Sequence, residues 1–169
     1  MIGISQSVQD AINKAAAAIG VPPQWLYNEI RLESGFDPAA ENSITHAKGL
    51  IQFMPDTARG LGYKDQFDLY NQNPTAEQQL LGPVIQYFKP WGPFKTEQSF
   101  YMSVFYPALR NAPADTLFPA MVQKANPGIK TVGDYIKHVN PKIFFIMPLA
   151  VIALIGIVGI ILKKISTGA

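Results

Sequence analysis

Hydrophobic and polar positions follow a helical period along most of this chain. Val8, Ile12, Ala15 and Ile19 recur at i, i+4, i+7 and i+11, one face of a helix. Ser7 followed by Asp10 reads as a capping box at its start, and Gly20 as its stop. After the connector Val21-Pro22-Pro23, a second helix is expected from Pro23 to Ser34, with Pro23 in its first turn. At about 100° per residue, Trp25, Leu26, Ile30 and Leu32 cover an arc of about 160°. Glu33 and Glu29 both fall inside that apolar arc. A carboxylate is costly to desolvate, so one on a core face is an error, a paired structural group or a catalyst.

Further along, Asp37 to Lys48 is a polar loop, and Gly49 to Gly62 is an apolar, helical stretch interrupted by Pro55. Tyr63 to Asn73 reads as loop. Pro74 to Phe88 reads as a helix, with Leu80, Leu81, Val84, Ile85 and Phe88 in period. Lys89 to Phe94 is a turn rich in Pro and Gly, Thr96 to Ala112 an aromatic-rich helix, and Asn126 to Val139 a turn and short helix. No strand-like alternation of any length occurs, so this part is mainly α. From Ile143 to Leu162 the pattern changes: twenty residues carry no charge, about 30 Å of helix and the thickness of a bilayer core. A helix apolar all round belongs to the core of a large protein or to a membrane, and this run follows a small domain. It predicts a single C-terminal transmembrane helix.

Charge and composition then narrow the function classes. Net charge is +2, and without Lys163 and Lys164 it is zero over residues 1–142. No basic excess remains to draw nucleic acid, so no nucleic-acid partner is expected. The absence of cysteine excludes disulfides, thiol catalysis and cysteine zinc sites. His46 and His138 stand alone, so no metal site is expected, and nothing in the chain asks for a cofactor. The N-terminus lacks the basic segment of a signal peptide. The expected organisation is a catalytic-type domain at 1–125, a turn and connecting helix at 126–142, the span at 143–162 and a short basic tail at 163–169.

Two linked segments carry candidate chemistry: ESGF at Glu33 to Phe36, then GLIQFMPDTA at Gly49 to Ala58. Together they resemble the signature of the soluble lytic transglycosylases. The resemblance implies a lysozyme-like α domain of the goose type, acting on the glycan strands of peptidoglycan. It implies that Glu33 is the one catalytic carboxyl, first acid on the glycosidic oxygen and then base for the muramic C6 hydroxyl, leaving a 1,6-anhydro ring. It also implies a sugar-contacting Gln52, a Ser34 that positions substrate or braces Glu33, a Gly49 that lets backbone approach the sugar, and Met54 along the cleft. The family's later Ala-Tyr-Asn segment falls on Val104 to Ala108, with Phe105 where the tyrosine would be. Tyr106 or Tyr101 is then expected to supply that hydroxyl.

Other readings stay open at this stage. Glu33 is alternatively a structural carboxylate paired with Lys48 or Arg59, and Glu29 a structural or rim-exposed group. Asp37 is a helix-end cap or the holder of a hydrolytic water. Trp25, Phe36, Tyr63, Trp91 and Tyr106 are either sugar platforms or core. The alternative functions are a hydrolytic lysozyme and an inactive, membrane-anchored wall-binding protein. The expected partners are peptidoglycan, a lipid membrane through 143–162 and other virion membrane proteins. The Phe-x-Pro variant at Phe105 to Pro107 resembles virion-associated members of the family, which implies an internal membrane of a virus particle and wall opening for genome entry. The other expected location is the bacterial inner membrane, facing the periplasm.

Overall fold

The computed structural model describes residues 3–140, which are mainly helical. The span expected at 143–162 and the tail at 163–169 lie outside the described residues. Among the described residues no helix is long and apolar enough to cross a membrane.

Helix α1 (Gln6–Ile19) buries Ala11, Ile12, Ala15, Ala16 and Ile19, a face slim enough for a neighbouring helix to come close. Its cap is Ser5 rather than Ser7: the extended Ser5 accepts from the Val8 amide. Ser7 instead donates to Glu77 Oε1 at 2.6 Å. Gly20 ends the helix in the left-handed conformation at φ 82°. Helix α2 (Pro23–Glu33) starts on its proline and buries Leu26, Asn28, Glu29 and Ile30.

Residues 49–62 are not one interrupted helix. A turn over 49–52 is closed by the bridge between Lys48 and Phe53, and α3 (Pro55–Gly60) begins at Pro55. A proline lacks only an amide that the first turn leaves unpaired anyway, so it starts a helix more readily than it breaks one. The loop expected at 63–73 contains α4 (Gln66–Gln72), nucleated by Asp65, whose side chain accepts from the Phe67 and Asp68 amides.

Residues 76–88 form the expected rod: α5 (Ala76–Gln79), a π-helical turn (Leu80–Val84) and α6 (Ile85–Phe88). Pro83 lies in the wide turn, where its missing N–H is accommodated. Helix α7 (Glu97–Phe105) is shorter than expected because Pro107 cannot continue it; a 3-10 turn (Pro107–Leu109) follows. After α8 (Ala120–Ala125) comes α9 (Val132–Val139).

The core gathers around Ile12, Leu26, Ile30, Leu50, Phe53, Leu80, Phe88, Phe100 and Met102, with Phe88 and Phe100 stacked at 4.5 Å. The segment expected to be a connector belongs to this core. Val132, Tyr135 and Val139 of α9 are buried, α9 packs on α2 and α7, and Arg31 Nη2 donates to the Val139 carbonyl at 3.2 Å.

Candidate active site

Glu33 is the last residue of α2, so its side chain leaves the core where the chain turns outward. Among the described residues it enters no ion pair. Lys48 Nζ is taken by Glu41 at 3.4 Å, and Arg59 pairs with Asp56. The two cations that offered a structural partner are therefore committed elsewhere. Part of the residue reaches solvent, yet its carboxyl sits among side chains, and desolvation pushes its pKa up to about 7. Half-protonated near neutrality, such a group gives and takes a proton with equal ease.

One turn earlier, Glu29 is fully buried rather than at a rim. Neither of its oxygens has a hydrogen-bond partner. Burial, and then the charge of Glu33, hold its pKa well above the ordinary carboxylate range. Three tyrosines lie within electrostatic reach of Glu29, and two of them, Tyr87 and Tyr135, also of Glu33. Tyr87 on α6 donates to the Ser103 carbonyl at 2.5 Å, and burial, aided by Glu29 and Glu33, pushes its hydroxyl up to about 12. Tyr101 on α7 donates to Glu97 Oε1 at 2.9 Å and accepts from Asn28 at 3.3 Å. Tyr135 on α9 is buried with its hydroxyl unpartnered.

The segment after α2 is fixed to the end of that helix by hydrogen bonds from side chains to backbone. Ser34 Oγ donates to the Leu50 carbonyl at 3.0 Å and to the Ile30 carbonyl at 3.2 Å, so it braces the end of α2 against the 49–52 turn. Gln79 holds that turn from the other side. Its Oε1 accepts from the Leu50 amide at 2.9 Å, and its Nε2 donates to the Pro38 carbonyl at 2.9 Å and the Asn73 carbonyl at 3.1 Å. Gly49 has φ 86°, and a Cβ there would lie 2.6 Å from Gln79 Oε1. The close approach that requires glycine here is by Gln79, within the protein.

Gln52 is half-buried at φ 53°. Its Nε2 donates to the Ala40 carbonyl at 3.3 Å and the Gly49 carbonyl at 3.0 Å, which leaves Oε1 as the atom able to accept from a ligand. Phe36 (φ 71°) and His46 (φ 57°) are the other described non-glycine residues with positive φ. All three lie between α2 and α3. Side chains in this region of φ persist only where the surroundings hold them, a pattern that gathers at functional sites.

The remaining expected residues separate clearly. Met54, two residues after Gln52, is 43% exposed, so it is not plain core. Tyr106 is half-buried and packs edge-to-face on Phe118 at 5.9 Å. Tyr101 is a correction: it is fully buried with its hydroxyl committed, so it supports α2 and α7 instead of meeting a sugar. Phe105 stacks on Tyr135 at 4.0 Å. Asp37 is exposed, and its Oδ1 accepts from the Ala39 amide. Trp25, Phe36, Tyr63 and Trp91 are half-buried against the core. A cavity of about 370 Å³ between Trp91, Lys95, Ser99 and Arg110 is lined by none of the residues around Glu33. No His, Asp and Glu cluster fit for a metal occurs among the described residues.

Sequence reasoning missed Gln79 and Tyr135. Both sit on apolar helix faces, at 79–80–84–88 and at 132–135–139, where a polar group reads as an interruption of the stripe. Residues 10–84 match the family model described as the transglycosylase SLT domain. No solved structure matches the chain.

Proposed function

From the match of residues 10–84 to the transglycosylase SLT domain, a family whose enzymes cleave the glycosidic bonds of peptidoglycan, we propose that this chain acts in the same way and that Glu33 alone performs the acid–base chemistry. The observation that carries this reading is the unpaired Glu33 carboxyl, held near 7 by burial at the end of α2. Protonated Glu33 gives its proton to the glycosidic oxygen between N-acetylmuramic acid and N-acetylglucosamine as the C1–O bond breaks. The carboxylate then takes the proton of the muramic C6 hydroxyl while that oxygen bonds to C1. The product is a 1,6-anhydro ring, the proton is returned, and no water is consumed. Because the nucleophile is tethered to the sugar it attacks, no second carboxylate is needed to generate it.

A hydrolytic lysozyme would need a second carboxyl flanking the bond, about 5–9.5 Å away across the sugar. Glu29 is sealed in the core, one turn back on the same helix. That arrangement favours the intramolecular route. Gln52 Oε1, Met54 and Tyr106 are proposed to contact the glycan, Ser34 to brace Glu33 and Gly49 to admit the Gln79 clasp. The run from Ile143 to Leu162 supports attachment to a membrane, and we place the enzyme in a virus particle, where it opens the wall for genome entry. Detection in host envelopes but not in purified virions would remove that placement.

The test of the chemistry is digestion of purified peptidoglycan by the full chain in detergent and by its Glu33→Gln variant, with fragments read by mass spectrometry. Anhydro-muramic ends from the parent and none from the variant are expected. Reducing ends would make it a hydrolase. An active Glu33→Gln variant would remove Glu33 from the role.

A further inference from the structure

Three polar atoms that should not be left alone share the interior behind Glu33. Both carboxyl oxygens of Glu29 and the hydroxyl of Tyr135 are buried without a hydrogen-bond partner. Buried polar groups in folded proteins are nearly always satisfied, so orphans that share a neighbourhood require an explanation. These three do. Glu29 stands at i−4 from Glu33, which puts the two side chains on one helix face with Cβ atoms about 5–6 Å apart. Tyr135 comes from α9, which packs directly on α2, and its ring is pinned by Phe105 at 4.0 Å. Burial above all, and then the nearby carboxyls of Glu29 and Glu33, disfavour ionisation of the Tyr135 hydroxyl, so it stays a donor within electrostatic reach of both.

The groups facing Glu29 leave it no counter-charge. They are Glu33 on α2, Tyr87 on α6, Tyr101 on α7 and Tyr135 on α9. The buried face of α1, which packs on α2, holds only alanine and isoleucine. Arg31 spends its guanidinium on the Val139 carbonyl. An uncompensated buried carboxylate is too costly to persist, so Glu29 is the neutral acid, with an O–H to give.

We propose that Glu29, as a neutral carboxylic acid, and the Tyr135 hydroxyl form a positioning pair behind Glu33 that donates, directly or through one enclosed water, to the Glu33 carboxylate formed on proton transfer. The pair holds the carboxylate oriented while it waits for the C6 hydroxyl. It rests on Glu33 being the acid–base of the reaction. Neither residue touches the sugar. Tyr135 lies on α9, outside the 10–84 stretch that matches the family model.

The experiment is the pH–rate profile of the full chain in detergent on purified peptidoglycan, for the parent, Glu29→Leu, Glu29→Gln, Tyr135→Phe and Glu33→Gln. A donor to the carboxylate favours the ionised form, so its loss raises the midpoint of the descending high-pH limb, which reports Glu33. Glu29→Leu and Tyr135→Phe are expected to move that limb to higher pH and lower kcat about tenfold, with KM little changed. Glu29→Gln, which keeps a neutral donor, is expected to recover most of the loss, with its limb near that of the parent. Circular dichroism and melting confirm that each variant is folded; Tyr135→Phe, which keeps the ring stack, decides the matter if Glu29→Leu does not fold. Parental kcat and midpoint in folded Tyr135→Phe would overturn the pair. A limb moved to lower pH in Glu29→Gln would show that Glu29 is ionised and overturn it as well. Activity in Glu33→Gln would instead remove the premise, a failure that the other variants do not mimic.

Discussion

A glutamate held near pKa 7 by burial makes folding pH-dependent in a direction opposite to that of most acidic residues. In the unfolded chain Glu33 titrates near 4.5, whereas in the fold it does so at about 7. The fold therefore favours the neutral form. Stability from this group is complete below about pH 4.5 and is lost as pH rises through 7. The difference in pKa corresponds to about 3 kcal/mol. Glu33→Gln is neutral at every pH, so it is expected to be more stable than the parent by about that amount at pH 8, and equal to it near pH 4. Denaturant melts at the two pH values check this; a variant no more stable at pH 8 would show that the Glu33 carboxyl is well solvated. The position of Glu33 on an apolar arc was legible from a helical wheel. Its freedom from Lys48 and Arg59 was not, because it depends on Glu41 and Asp56 reaching those cations first. No period in the sequence encodes that competition. Glu29 was visible on the same arc, but whether it met solvent depended on α9, more than a hundred residues away in the chain.

Among the elements, the turn between α2 and α3 is the one whose geometry the chemistry depends on. It is anchored in the core by Leu50, Ile51 and Phe53, and its path is set by hydrogen bonds to backbone from Ser34, Gln52 and Gln79. Gly49→Ala would add strain at φ 86° and drive a methyl into Gln79 Oε1, costing about 2–4 kcal/mol through combined strain and a lost buried bond. The expected result is a lower melting temperature with activity lost in proportion to the displaced Leu50 turn. Unchanged melting would mean that Gln79 moves aside freely. Helix periods predicted α1, α2 and the 76–88 rod because each has a continuous apolar stripe. They failed at α4, which buries only Gln66 and Leu69 and owes its start to the Asp65 cap. They misjudged Pro55 and Pro107 because a proline starts or stops a helix according to which residues precede it.

At the scale of the whole molecule, the stretch that matches the family model stops at residue 84, but the packed body does not. Phe88, Phe100, Met102, Val132, Tyr135 and Val139 complete the core over the back of α2. Each such side chain contributes roughly 1.5–3 kcal/mol when fully buried. A chain ending at residue 131 is therefore expected to lose cooperative unfolding, whereas one ending at residue 142 keeps it. Calorimetry of the two separates them; equal melting would mean that α9 is an ornament. The Gln79 clasp has a different kind of consequence, for how sequences of this type can drift. It grips the main-chain atoms of Leu50, Pro38 and Asn73 and none of their side chains. Those three positions are free to vary without loosening it, provided position 50 does not become proline. Positions 49 and 79 are not free, since glutamine at one demands glycine at the other. Descendants of this chain that keep Gln79 should keep Gly49 with it, and because φ 86° strains any other residue, the glycine should outlast the glutamine, an asymmetry readable in an alignment with no structure to hand.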